Sequence, residues 1–333
     1  MRQASATIRD VAREAGVSVA SVSRALNGHS SVHADTRARV LTAATALGYV
    51  PHAGARSLSL ARSHAIGVVL PDLYGEFFSE IVRGMDREVT ARGYHLLLSN
   101  MHADAALAAQ AIRSMRGRVD GLIVMAPQLD VALLDEALPR DVPAVLVNSS
   151  GGIGRAAFRV NNAAGIVAAV AHLIATGRRR LAHISGPAGN LDARERRDAF
   201  LAAMTSHAPD VQPIVIEGDF REESGAAAVA ALQARGATYD GIVAANDMMA
   251  LGALGALREA GLAVPHAIAL TGFDDVPLAR YLGLTTVRVR MAEMGERAVA
   301  RLIDALEAGV LSPETETVAA ELVIRSTTGP VQS

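Results

Sequence analysis

From Ala65 onward, apolar runs of strand length alternate with segments that have the period of an amphipathic helix. Residues 66–70, 121–125 and 144–147 are almost entirely apolar. Strands that are apolar on both faces are typical of parallel sheets covered by helices on both sides. The alternation therefore predicts an open, doubly wound α/β architecture.

A second stretch with the same alternation begins near Asn162. Its strands are predicted at residues 181–185, 214–217, 241–244 and 268–271, and a last strand near the end of the chain is predicted at residues 322–325. Two similar units predict a cleft between them, because open parallel sheets bind ligands beyond the carboxyl ends of their strands. The polar residues at those ends are Asp72, Asn100, Asn148, Asn246, Asp247, Asp274 and Asp275.

The first 62 residues differ in charge from the rest. They hold eight arginines against three acidic residues, a net charge of +5, whereas the remainder holds 24 arginines against 31 acidic residues, a net charge of −7. This asymmetry is expected when only the basic segment meets a polyanion.

Two short helices joined by a three-residue turn are predicted in the basic segment. Thr7 and Asp10 form a capping pair for the first helix, and Gly16 ends it. Ser18 caps the second. This is the spacing of a helix-turn-helix, in which residues near the start of the second helix face base edges. Those residues are Val19, Ala20, Ser21 and Arg24. Arg24 can pair bidentately with guanine.

A third helix is predicted from Asp35, as its cap, to Gly48. A linker of small residues follows it, and Gly54 lowers the helicity of that linker.

Composition excludes several kinds of chemistry. The chain has no cysteine, and all 32 of its basic residues are arginine. Thiolate nucleophiles, cysteine-ligated metals, Schiff bases and the Walker A phosphate loop are therefore absent. The glycines at 152 and 154 match a dinucleotide fingerprint only weakly. We expect no cofactor, no metal and no enzyme activity.

Residues 7–28 and 36–58 resemble the headpiece and hinge of the lactose-repressor/galactose-repressor family of transcription regulators. Similar resemblances occur at 76–85, 184–187, 193–197, 245–252 and 271–275. The family implies a fold like that of periplasmic sugar-binding proteins, with three chain crossings between two subdomains. The expected divisions are a headpiece at 5–51, a hinge at 52–63, a first subdomain at 64–161 with 291–323, and a second at 162–290 with 324–329.

The resemblance also implies residues that contact DNA. They are Thr7, Ser18, Val19, Ala20, Ser21, Ser23, Arg24, Asn27, Ala55 and Leu58. In the family the hinge becomes helical on operator DNA, where its leucine, here Leu58, enters the minor groove and kinks the duplex. His52 replaces the usual asparagine cap and Gly54 replaces the usual alanine, so this hinge should fold less readily without DNA.

An effector pocket is implied in the same way. It falls on Asp72, Phe77, Phe78, Asn148, Arg196, Phe220, Asn246 and Asp274. Asn148 departs from the aspartate commonly found there. Carboxylate, amide and guanidinium groups beside aromatic rings suit a polyhydroxylated ligand.

The sequence thus predicts a transcription regulator, most simply a repressor, that binds a palindromic double-stranded operator as a homodimer. Its effector is expected to be a sugar or sugar derivative. We expect a cytoplasmic protein without a membrane segment, and an assembly without a leucine-heptad extension. Two alternatives are a sugar-binding receptor module without DNA binding and a sugar-acting enzyme.

Overall fold

The computed structural model describes residues 6–27, 29, 31–49, 62–102, 104–149 and 155–329. The chain divides into two compact units, residues 1–63 and residues 64–333. The smaller is called the headpiece below and the larger the body.

Three helices make up the described part of the headpiece: α1 Ile8–Ala15, α2 Val19–Leu26 and α3 Ala34–Ala46. They close around a small core of side chains that recur at helical spacing. The buried members are Val11, Ala12, Ala15, Val22, Ala25, Val40, Ala43 and Ala44.

The caps predicted from the sequence for α1 and for the start of α2 are confirmed. Thr7 and Asp10 form a reciprocal capping box, Gly16 adopts the left-handed conformation at φ 64°, and the Ser18 hydroxyl accepts a hydrogen bond from the Ser21 amide. The prediction of Asp35 as the cap of α3 is wrong. That helix begins after His33, and Asp35 lies in its first turn, where a carboxylate complements the helix dipole.

The body contains twelve strands and nine helices within the described residues. The strands are β1 Ala65–Leu70, β2 His95–Asn100, β3 Gly121–Val124, β4 Ala144–Val147, β5 Ala156–Val160, β6 Leu181–Ser185, β7 Ile214–Glu217, β8 Gly241–Ala244, β9 Ala269–Asp274, β10 Thr285–Val289, β11 Thr315–Val318 and β12 Ala320–Val323. The helices are α4 Glu76–Ala91, α5 Ala105–Ser114, α6 Val131–Ala137, α7 Asn162–Ala175, α8 Leu191–His207, α9 Glu222–Ala234, α10 Asp247–Glu259, α11 Pro277–Tyr281 and α12 Met291–Ala308.

The strands form two six-stranded sheets. The first has the order β11-β5-β4-β3-β1-β2 and is parallel throughout. The second has the order β12-β10-β9-β8-β6-β7 and is parallel except for the β10–β12 pair. The doubly wound α/β prediction is confirmed.

The chain passes between the two sheets three times, as the resemblance implies. The crossings lie between β5 and α7, between β10 and α12, and between β11 and β12. The predicted boundary at residue 323 is corrected by the last crossing, because β12 already pairs with β10 of the second sheet, with Ala320 opposite Val289. The strand predicted at 322–325 is this same β12, two residues earlier.

No helix within the described residues has both the length and the apolar composition needed to cross a bilayer.

Candidate functional site

Helix α2 presents its amino-terminal face to solvent. Val19, Ala20 and Arg24 are exposed, while Val22 and Ala25 pack in the headpiece core. Arg24 makes no ion pair with any residue that the structure describes. The exposed side chains of Val19, Ala20 and Arg24 are therefore accessible to DNA, as the prediction requires.

The other predicted DNA-contacting residues fall into three groups. Thr7 and Ser18 are exposed helix caps, and Ser21, Ser23 and Asn27 are half-buried. Ala55 and Leu58 lie outside the described residues. Arg37 was missed by the sequence reasoning: it extends from α3 and donates to the carbonyl oxygens of Ala25 and His29, which fastens the end of α2.

A cavity of about 300 Å³ lies in the body where the carboxyl ends of the strands in the two sheets meet. Such a volume is at the lower end of the range for small-molecule sites, roughly 300–1,000 Å³. Residues from both sheets line it, so the topology of two doubly wound units creates the site.

Seven of the eight predicted effector residues line this cavity. They are Asp72, Phe77, Phe78, Arg196, Phe220, Asn246 and Asp274. Asn148 does not line it. Asn148 is 1 % exposed, has φ 44°, and neither polar atom of its side chain finds a hydrogen-bond partner among the described residues.

Asp274 and Arg196 form the buried floor of the cavity. The Arg196 Nη1 lies 3.6 Å from the Asp274 Oδ1, and the guanidinium carbon lies 3.7 Å from the centre of the Phe273 ring. Arg196 also donates from Nε to Asn162 and from Nη1 to the Ala245 carbonyl oxygen. The guanidinium is thereby fixed, whereas the Asp274 Oδ1 has no hydrogen-bond partner among the described residues.

Burial raises the pKa values of two carboxyl groups at this floor, Asp274 and Asp192. It raises the pKa of Asp274 to about 7, against the attraction of Arg196 and with some repulsion from Asp192. Burial likewise raises the pKa of Asp192, and Arg196 and a hydrogen bond from Asn162 oppose this. A ligand hydroxyl that donates to Asp274 would favour its charged form.

Asp275 turns away from the cavity, as expected for adjacent residues at a strand end. Its carboxylate lies 2.7 Å from Arg288 Nε and 2.6 Å from Arg325 Nη2. Both Asp274 and Asp275 have positive φ, 110° and 58°. The two arginines therefore hold a strained turn that directs Asp274 into the cavity.

Asn246 lines the cavity and also makes two structural hydrogen bonds. Its Oδ1 accepts the Met249 amide and so caps α10, and its Nδ2 donates to the Phe220 carbonyl oxygen at 2.9 Å. Phe220 has φ 72°, and its ring lies against Gly186, where an added Cβ would be 2.3 Å from Cζ. Asn246 and Gly186 thus position the aromatic wall.

At the mouth of the cavity, the loop after β1 contacts the second subdomain. Arg221 Nη2 lies 3.0 Å from Asp72 Oδ2 and its guanidinium lies over the Tyr74 ring, while the Tyr74 hydroxyl donates to Glu222 at 3.0 Å. The Glu76 carboxylate accepts the Leu278 amide.

Other lining residues were not predicted from the sequence. They include Tyr74, Met125, Gln128, Asn190, Asp192, Asp219, Arg221 and Met248. Most of them lie in the loops that follow strands, so the rule that parallel sheets bind ligands at their carboxyl edge could have identified those loops.

Sequence models of known protein families match parts of both the headpiece and the body. The sequence model described as "Bacterial regulatory proteins, lacI family" matches residues 7–52, and that of the "Periplasmic binding protein-like domain" matches residues 170–328. The transcriptional regulator GalS of Salmonella typhimurium is 35% identical over 297 residues, which cover 88% of this chain and 87% of GalS. The chain belongs to the lacI family.

Two further relatives extend the likeness over almost the whole length. The ribose operon repressor of Escherichia coli is 35% identical over 90% of this chain and 92% of its own. A lac repressor dimer bound to operator and an anti-inducer has a TM-score of 0.86 and 30% identity, and it covers 98% of this chain and 100% of its own. This lacI-family chain is a DNA-binding transcription regulator, as predicted.

Proposed function

We propose that this regulator is a repressor whose affinity for operator DNA is set by a sugar or sugar derivative bound between its two subdomains. The observation that carries the proposal is the cavity between the two sheets, which combines aromatic side chains with a buried carboxylate and guanidinium. Rings and charged hydrogen-bonding groups together suit the apolar face and the hydroxyls of a sugar.

The relatives support this ligand class. One structure similar to this chain, with a TM-score of 0.71 and 28% identity, is a complex of the regulator CelR with cellobiose. Two relatives are ribose operon repressors. The lac repressor match contains operator DNA.

We further propose a homodimer on a palindromic operator. A dimer places two headpieces on half-sites about 34 Å apart, one turn of the duplex. Large apolar side chains are exposed on the edge strand β2, at Leu97 and Leu98, and on α11, at Leu278 and Tyr281. Exposed apolar surface of this kind marks interfaces, and we assign it to a second copy of the chain.

The proposed residues act in two places. Val19, Ala20, Ser21 and Arg24 read bases in the major groove, and Leu58 enters the minor groove from the hinge. Asp274 and Arg196 anchor the effector, and Phe77, Phe78 and Phe220 cover its apolar face. No catalytic step is proposed, since the relatives are regulators. A regulator of bacterial transcription acts in the cytoplasm, where the DNA lies.

The proposal is tested by selecting duplexes from a random pool with the full-length protein. The expected result is a palindrome whose half-sites are one turn apart, bound by two chains. The selected duplex is then titrated with and without ribose, galactose, glucose and cellobiose. Enrichment of no sequence, or operator binding that no sugar changes, would contradict the corresponding part of the proposal.

A further inference from the structure

The charges that line the cavity are unequal in number. The two cationic side chains are Arg196 and Arg221. The four acidic side chains are Asp72, Asp192, Asp219 and Asp274.

Both arginines already have carboxylate partners. Arg196 lies beside Asp274 on the floor, with a nitrogen–oxygen distance of 3.6 Å. Arg221 pairs with Asp72 at the mouth, at 3.0 Å. A negatively charged ligand would have to displace one of these carboxylates or enter the cavity without a counter-charge.

Two lining carboxylates have no ion pair within 4 Å among the described residues: Asp192 and Asp219. Asp192 accepts a hydrogen bond from Asn162 Nδ2, at 2.8 Å, and is attracted by Arg196 without pairing with it. Asp219 accepts the Arg221 amide at 2.9 Å. Although partial burial of Asp219 opposes it, hydrogen bonding with Ser224 and with the Arg221 backbone lowers its pKa, so it remains charged at neutral pH.

Helix amino termini are the remaining source of positive potential, because their unpaired amides attract anions. Four helices, α4, α8, α9 and α10, begin at the cavity. Each has an acidic residue of its own in the first turn, and these are Glu76, Asp192, Glu222 and Asp247. Asn190 and Asn246 also cap α8 and α10. The first-turn carboxylates of α4 and α9 and the asparagine caps of α8 and α10 thus compensate the dipoles that would otherwise hold a phosphate or carboxylate.

We infer that the effector site selects ligands without negative charge: it takes a neutral or cationic polyhydroxylated ring and excludes the sugar acids and sugar phosphates built on the same ring. The inference rests on the proposed function and narrows its ligand class. Desolvating an anion beside the charged carboxylate of Asp219 is unfavourable, whereas a neutral hydroxyl can donate to the carboxylate of Asp274.

The test is isothermal titration calorimetry on the full-length protein with matched compounds. Glucose, galactose and ribose are each compared with their phosphate esters, and the two hexoses also with their uronates and 2-amino derivatives. The expected result is that at least one neutral or amino sugar binds, and that the acid and phosphate of the same ring bind about tenfold or more weakly. An acid or phosphate that binds as tightly as its neutral counterpart would overturn the inference.

Asp219→Asn provides an independent variant, because asparagine retains an oxygen to accept the Arg221 amide. We expect it to narrow the affinity gap between a neutral sugar and its acid several-fold. Asp198→Asn is the matched control, since Asp198 is exposed, pairs with Arg197 and lies outside the cavity lining, and it should leave the gap unchanged. If both variants changed the affinity gap equally, the charge of Asp219 would not be the cause of the discrimination against anionic sugars.

Failure of the inference is distinguishable from failure of the proposed function. Binding of an anionic sugar that also changes operator affinity would overturn the charge selection and leave the regulator's function standing. Absence of binding by every compound in the matched set would count against both.

Discussion

Single side chains in this protein have roles that depend on their neighbours more than on their type. Asn246 is a polar residue in the cavity wall, yet both of its polar atoms are used to cap α10 and to hold the strained backbone of Phe220. It positions an aromatic ring, and the second N–H of its Nδ2 remains available to a ligand.

The Phe220 ring gives a prediction for Gly186. A methyl group at Gly186 would lie 2.3 Å from the ring, so Gly186→Ala should push the ring into the cavity and weaken effector binding about tenfold. Gly255→Ala in α10 is the control, because its added carbon meets nothing within 4 Å and Gly255 lies outside the cavity lining. Calorimetry with the effector identified among the titrated sugars measures the affinities of both variants. Equal affinities for the two variants would show that the ring position does not limit the site.

Arg24 gives a prediction for the headpiece. If it reads a guanine, Arg24→Ala should cost about 1–3 kcal/mol of operator binding and much less of binding to random duplex. Fluorescence anisotropy on the selected operator and on a scrambled duplex gives both values. Equal losses of binding free energy on the two duplexes would show that Arg24 contacts a phosphate and does not read a base.

The site residues were only partly predictable from the sequence. Strand ends located Asp72 and Asp274, but the same rule also suggested Asn148 and Asn100, which the structure places outside the cavity lining. Which side chain at a strand end turns inward depends on loop conformation, such as the positive φ of Asp274, and no periodic pattern encodes that. Tyr74 and Arg221 were missed because they lie in loops and acquire their role from each other.

At the scale of secondary structure, buried parallel strands were the most predictable elements. The buried strands β4, β6 and β8 begin and end at the residues predicted for them. The strand predicted for β12 lay two residues too far along the chain. β12 is a partly exposed edge strand, so a change from apolar to polar residues does not mark its ends. Its sheet is set by pairing with β10, which is a long-range contact.

Leu58 of the hinge segment gives the second prediction about DNA binding, although this residue lies outside the described ones. If Leu58 sustains a kink whose elastic cost is on the order of a few kcal/mol, Leu58→Ala should weaken operator binding without changing the thermal unfolding of the body. Anisotropy and calorimetric unfolding check the two parts. Unaltered operator affinity would show that Leu58 does not enter the minor groove.

Over the whole molecule, the first and second subdomains are joined at the cavity mouth by polar contacts. Arg221 pairs with Asp72 and covers the Tyr74 ring, and Tyr74 donates to Glu222. These groups are partly exposed, so each contact is weak by itself. Together they favour a closed arrangement that a modest change in free energy, about 1–3 kcal/mol, could shift.

Loss of these contacts should open the cleft. Because the chain contains no cysteine, spin labels can be placed at Thr90→Cys and Gln233→Cys alone, one on each subdomain. In the ligand-free protein, Arg221→Gln should lengthen and broaden the label distance measured by electron–electron resonance. Arg235→Gln is the control, since Arg235 makes no ion pair with a described residue. An unchanged distance in Arg221→Gln would mean that the mouth contacts do not hold the subdomains together.

The central claim is that a ligand on the cavity floor controls DNA binding by the headpiece, and Asp274 tests it most directly. Operator affinity is measured by fluorescence anisotropy for the parent protein and for Asp274→Ala, with and without the effector identified by calorimetry. The account predicts that ligand-free Asp274→Ala binds operator like the parent but no longer responds to the effector, because the carboxylate that anchors it in the cavity is gone. An Asp274→Ala protein that still responds at the parent's effector concentration would contradict the account.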